Sequence, residues 1–362
     1  MPANPATCDR FLSQDFVRHA ARRRARRERL RAGLVLAGTA VVLTGLLAIP
    51  LYLIGALLPW PHLPAEIGAR LGVLLAGSAR AAACAIAVAL PLGLATAMFS
   101  AHYAAPRLRA WLKPGLEILD AVPTVVLGLI AAATLAPWLK LHVATVLALL
   151  AIVPLALLAA GMAFGARVRR EGWLPLWLLP LLLALVVAAT AIAARSEAPA
   201  IVPTMPWNAA LVGLALGVAA LPTVFSVAED ALFLVPRAQS QAAFALGATR
   251  WQALTTVLLP AAGSGLVAAA LLGLSRCLGE TMIVLMASGN TPIGGFDPLA
   301  GLRSLSAELA LGLPEAAPDG AAWHGLLLAA LLLLALTMAL SLIADAVRER
   351  LRRRLRSGGS AT

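Results

Sequence analysis

Eight apolar runs of membrane-spanning length, at 33–58, 78–101, 115–137, 143–165, 174–194, 207–228, 264–288 and 323–345, dominate this 362-residue chain. A helix needs roughly 20 apolar residues to cross the hydrocarbon core of a bilayer, and every run provides them. A water-soluble fold has no place for so much apolar sequence. The chain is 61% hydrophobic and only 13% charged, where a soluble domain carries about 25% charged residues. An interior of 37.3 kDa is too small to hide the surplus. The expected fold is therefore an all-α integral membrane bundle of about eight helices. A charged leader of about thirty residues precedes the first run, which far exceeds the h-region of a signal peptide, so the run is expected to be retained.

Charge placement gives the threading. Lys and Arg number 29 against 17 Asp and Glu. Nine arginines lie between Arg10 and Arg31 and six between Arg348 and Arg356. The positive-inside rule then puts both termini in the cytoplasm, with anionic lipid rather than nucleic acid as their counterpart. Eight spans threaded from that start leave 23 of the 29 basic residues inside and four outside, namely Arg70, Lys140, Arg195 and Arg303. The expected organisation is a basic tail (1–31), three spans (32–140), an inserted pair (141–200), a core (201–345) and a second basic tail (346–362). The core carries two long connectors, an inside loop at 229–263 and an outside loop at 289–322. Neither the three cysteines nor the scattered histidines have ligand spacing, so no metal centre is expected. Arg80, near the outer end of its run, is expected to snorkel to the interface.

The inside loop reads as two short helices joined at Gly247. Glycine suits the positive φ past a helix end, and Thr249 with Gln252 has capping-box spacing. Ala242, Ala243 and Ala245 keep the first helix thin, while Phe244, Leu246 and Trp251 are apolar anchors of the kind that dominate interfaces. Those features fit either a helix lying on lipid or an insertion knob for another protein. The spacing from Gln241 to Pro260 resembles the EAA loop of ATP-binding-cassette importer permeases, E-A-A-x3-G-x9-I-x-L-P. Ala242, Ala243, Gly247, Leu259 and Pro260 are in place; Gln241 stands for Glu and Val257 for Ile. The resemblance implies that this loop, Arg250 included, docks on a cytoplasmic ATPase dimer. The chain has no G-x-x-x-x-G-K-[ST] phosphate loop of its own. It is thus expected to be a non-enzymatic subunit without cofactors, ATP and Mg being held by the partner.

The seventh run contains Arg276 and Glu280, followed by Thr281 and, past the run, Asn290. An arginine at the centre of a spanning helix costs roughly 2.5–3.5 kcal/mol by insertion scales. Four residues apart on one helix, Arg276 and Glu280 would share a face. They are expected either to glue helices as an ion pair or to relay an anion, Arg supplying the donor fork and Glu weakening its hold. The segment Ser275–Met282 resembles the R-x-L-G-E-T-M stretch in the permeases of the phosphate-specific importer. The segment from Leu112 to Gly128 is similar to that family's L-K-P-x-L-E-L-L-A-G-I-P-S-V-V-Y-G. The stretches 222–237 and 302–308 are similar to its C-type subunit. Asp120 stands where the family has a small residue. Glu117 and Asp120 are expected near a helix N-terminus, where acids are favoured, and Pro123 is expected to kink the third span.

The resemblance implies one half of a heterodimeric pore in the bacterial cytoplasmic membrane. It would pass inorganic phosphate delivered by an extracytoplasmic binding protein, beside a second homologous permease. Arg276, Glu280, Thr281 and Asn290 would lie on the path. A permease for another oxyanion, such as sulfate or molybdate, a proton-coupled secondary transporter and a phosphate-sensing scaffold are the alternatives left open.

Overall fold

A computed structural model describes residues 5–58, 65–140, 205–295, 297–318 and 320–359. The expected spans at 143–165 and 174–194 lie outside the described residues. Helices make up the fold: α1 (Pro5–Leu57), α2 (Ala65–His102), α3 (Pro106–Ala121), α4 (Thr124–Lys140), α5 (Ala209–Leu234), α6 (Arg237–Ala245), α7 (Arg250–Gly279), α8 (Met282–Ala287), α9 (Leu305–Gly312) and α10 (Ala321–Gly359). α4 and α7 each contain a wide π turn, at Ala131–Leu135 and Ala253–Leu258. Among the described residues, five helices are long and apolar enough to cross a membrane, and α3 with α4 makes a sixth if the bent pair is one span.

The chain divides into two compact units, Met1–Pro61 and His62–Thr362. The first is the single helix α1, whose Arg31–Leu57 portion is long and apolar enough to span. In the second, α2 and α5 form the most extensive pairing, and α7 packs on α10, α5 and α2. Lipid gives helices no hydrophobic reason to associate, so close backbone approach through small residues must do it. The α2 side of the seam is Ala81, Ala82, Ala85 and Ala89, all buried. The α5 side has Gly213 and Gly217, four residues apart and so on one face. A β-carbon added at Gly213 would overlap the Cys84 side chain and lie 2.9 Å from the Cys84 carbonyl carbon; one at Gly217 would lie 2.9 Å from the Ala85 carbonyl oxygen. Gly213→Val is expected to cost about 1–3 kcal/mol through overpacking, read as a lowered unfolding temperature in detergent. Gly263→Ala, where nothing lies within 4 Å, should leave that temperature unchanged.

Two of the expected spans are broken, the first at Pro123, where a kink was expected. The run at 115–137 is two helices, α3 and α4, set at 84°. Pro123 forces the residue before it out of helical geometry, and Val122 accordingly has φ −65° and ψ 126°. The helix before the break begins at Pro106 rather than near 115, which places Asp120 in its last turn. The N-terminal setting expected for Glu117 and Asp120 is therefore wrong: the helix dipole disfavours an acid at Asp120. The run at 264–288 likewise stops at Gly279. Glu280 turns extended (φ −73°, ψ 128°), and α8 restarts at Met282. The two restarted helices pack together, since a β-carbon at Gly128 of α4 would meet the Ile283 α-carbon and the Met282 carbonyl oxygen of α8 at 3.2 Å.

Candidate functional site

The breaks bring together residues far apart in sequence. Arg276, in the last turn of α7, places Nη2 2.5 Å from Asp120 Oδ1 at the end of α3. Its Nη1 donates to Thr223 Oγ1 of α5 at 2.9 Å. Three helices thus converge on one guanidinium. The pair is partly exposed, the Arg276 side chain at 33% and that of Asp120 at 46%. The expected Arg276–Glu280 pairing is not made, because α7 ends between the two residues. Glu280 Oε1 instead accepts from the Met282 backbone N–H at 3.3 Å, and its carbonyl accepts from Ser306 Oγ at 2.9 Å.

The other expected path residues serve local geometry. Thr281 occupies the linker position before α8 without a side-chain cap bond. Asn290 has a left-handed φ of 50°, which asparagine tolerates better than most residues. Its Nδ2 donates to the Leu285 carbonyl at 2.7 Å and its Oδ1 accepts from Ser288 Oγ at 3.3 Å. These bonds fix the turn after α8. Of the four residues, Arg276 alone stands at the helix convergence.

Arg80 departs furthest from expectation. It does not snorkel; it is 3% exposed. Its guanidinium donates to the carbonyls of Gly301 at 2.7 Å, Gly295 at 3.1 Å, Asp297 at 3.2 Å and Ile293 at 3.4 Å. A planar fork of five donors can gather carbonyls in this way, and Arg80 thereby ties α2 to the loop between α8 and α9. Buried Glu308 is held by Arg303 and Arg70, each at 2.5 Å. Glu229 of α5, 1% exposed, accepts from Ser100 Oγ at 2.5 Å and faces Arg109 Nε at 3.3 Å. The Arg109 guanidinium also lies 3.7 Å over the Phe233 ring.

The inside loop expected at 229–263 is shorter than that, since α5 runs to Leu234 and α7 starts at Arg250, and its knob is α6 with the turn into α7. α6 ends at Ala245, and Gly247 takes φ +81°. The capping box at Thr249 and Gln252 is present, with Thr249 N–H donating to Gln252 Oε1 at 2.9 Å and Gln252 N–H to Thr249 Oγ1 at 3.3 Å. Phe244, Leu246 and Trp251 are exposed, Leu246 at 89%. Gln241, Ala242 and Arg250 share this exposed surface. Ala243 does not: it is 8% exposed and packs with Ala253, Leu254 and Leu258. Its smallness lets α6 sit on α7, not a partner on α6. Leu259 packs under the same cluster, and Pro260 starts the regular part of α7. His102 at the end of α2 braces the knob, its ring stacked on Phe244 at 6.2 Å between centroids and its Nε2 3.0 Å from the Arg250 carbonyl oxygen.

Broken spanning helices are how transport proteins expose backbone and charge to a solute, and this chain is a multi-pass membrane protein of the transport class. Residues 158–357, more than half the chain, match the binding-protein-dependent transport system inner membrane component family, and the chain belongs to that family. It is similar to the phosphate transport system permease protein PstC of Mycobacterium leprae (strain TN), 29% identical over 250 residues, covering 65% of this chain and 63% of that one. It also resembles the probable ABC transporter permease protein YqgH of Bacillus subtilis (strain 168), 27% identical over 248 residues, with 67% and 61% covered. Phosphate transport system permease protein PstC of Haemophilus influenzae is 26% identical over 250 residues, with 68% and 66% covered. The chain spans about two thirds or less of the length of these curated relatives.

Proposed function

We propose that this chain is the membrane-embedded permease subunit of an ATP-binding-cassette importer for inorganic phosphate in the bacterial cytoplasmic membrane. The observation that carries the reading is the capped, apolar-faced knob at 237–260, a surface suited to insertion into a groove on a separate ATPase dimer. ATP and Mg belong to that partner. A second homologous permease completes the pore, and an extracytoplasmic binding protein delivers the anion. Phosphate as cargo is supported by the names of the relatives and by Arg276, a permanently charged fork suited to oxyanions. The basic termini at 1–31 and 346–362 face the cytoplasm in this arrangement.

Uptake of labelled phosphate into proteoliposomes holding the assembled complex, with sulfate and molybdate as competitors, tests the reading. Phosphate should be preferred, and Arg276→Gln should abolish uptake while the complex still assembles and hydrolyses ATP. Uptake of sulfate or molybdate in preference to phosphate would replace the cargo. ATP-independent uptake would replace the class.

A further inference from the structure

We propose that Asp120 is an internal competitor for the oxyanion: its carboxylate occupies the Arg276 guanidinium that the travelling anion must take, and so sets how firmly the site holds its cargo. This rests on the reading of Arg276 as an anion-path residue and adds a second determinant to it. Asp120 Oδ1 lies against Nη2 at 2.5 Å while Nη1 is engaged by Thr223. A carboxylate and a phosphate present equivalent acceptor oxygens to a guanidinium, so the two are alternatives at the same fork. Among the described residues the nearby carboxylate of Glu280 is not such a competitor, because it is turned to the Met282 backbone.

Exposure separates this pair from the two built on Glu229 and Glu308; Arg348–Asp230 is equally open, at 29% and 48%, but is longer, at 3.4 Å. Glu229 and Glu308 are sealed, with side chains 1% and 6% exposed, whereas both members of the Asp120–Arg276 pair are partly open at the chain's surface. The setting of Asp120 also makes it displaceable. It lies in the last turn of α3, where the helix dipole opposes its charge, so its own helix does not retain it. Two residues later the chain bends at Val122 and Pro123. An anion that takes Arg276 releases the end of α3 from α7 beside that bend. A fixed cation alone would hold a divalent oxyanion too firmly for throughput; return of the carboxylate provides the counterforce for release.

The test is phosphate binding to the detergent-solubilised complex without its binding protein, measured by equilibrium dialysis, together with turnover in proteoliposomes. An exposed ion pair of this kind is worth up to about five-fold in an equilibrium constant. Asp120→Asn, which keeps the shape and removes the charge, should lower the phosphate Kd roughly five-fold and slow turnover at saturating binding protein. Asp120→Glu should restore the parent values. The bound fraction of sulfate should rise in parallel, since the carboxylate competes with any oxyanion. An Asp120→Asn complex with an unchanged Kd and a lowered unfolding temperature would overturn the proposal and make the pair structural. Arg276→Gln separates the two claims. If it abolishes phosphate binding while Asp120→Asn has no effect on Kd, the path reading stands and the competitor role fails; if it leaves binding intact, the path reading itself fails.

Discussion

Arg80→Leu is expected to release the loop between α8 and α9 from the bundle. The guanidinium gathers four carbonyls, and that of Gly301 is buried at the contact. Leucine supplies no donor, so the Gly301 carbonyl loses its partner at about 1–3 kcal/mol, with smaller losses at the three carbonyls that water can reach. Lysine is expected to rescue poorly, because a compact ammonium cannot span the same set of acceptors. Limited proteolysis should find new cleavage between residues 289 and 303 in Arg80→Leu, with the unfolding temperature in detergent lowered by several degrees. A protease pattern identical to that of the parent would show that the loop is held by other contacts, such as the Leu302 N–H to Ser288 carbonyl bond at 3.2 Å.

A lone arginine near the end of an apolar run reads as a snorkelling residue because the sequence shows only the run it belongs to. Its four acceptors come from a loop more than two hundred positions away, and carbonyls leave no trace in residue type. The same blindness hid the break after Gly279, whereas the kink at Pro123 was legible. Pro50, Pro91, Pro114 and Pro222 all sit inside helices that continue through them, as neighbouring helices allow in membranes. At Pro123, by contrast, the chain turns by 84°. Proline marks where a break can occur, and packing decides whether it does. The Arg276–Glu280 expectation then failed for one reason: spacing by four means a shared face only on an unbroken helix, and α7 ends at Gly279.

What was legible was what local chemistry decides. The apolar length of the runs fixed which described segments could be spans. Gly247 and the Thr249–Gln252 box were readable because a positive φ and a capping pair are properties of adjacent residues. Asp120 as the partner of Arg276 was not readable by such means. A sequence-level signal did exist: one acid, two residues ahead of a Val-Pro step, is badly placed for its own helix and so needs a cation from elsewhere.

The knob gives a prediction in which burial and exposure are set against each other. Ala243 and Leu246 are three residues apart, yet one is packed between α6 and α7 and the other stands out at 89% exposure. Leu246→Asp replaces a surface anchor and touches nothing inside the chain. It should leave the unfolding temperature unchanged and weaken ATPase binding by 2 kcal/mol or more if Leu246 is an interface hot spot, about 30-fold in Kd. Ala243→Asp instead buries an unpaired carboxylate among Ala253, Leu254 and Leu258, at about 3 kcal/mol or more. It should lower the unfolding temperature and lose the ATPase as a consequence, because α6 no longer rests on α7. Co-purification of the ATPase with each variant, measured beside thermal unfolding of the permease alone, distinguishes the two routes. Full ATPase recovery with Leu246→Asp would remove this face of the knob from the docking surface.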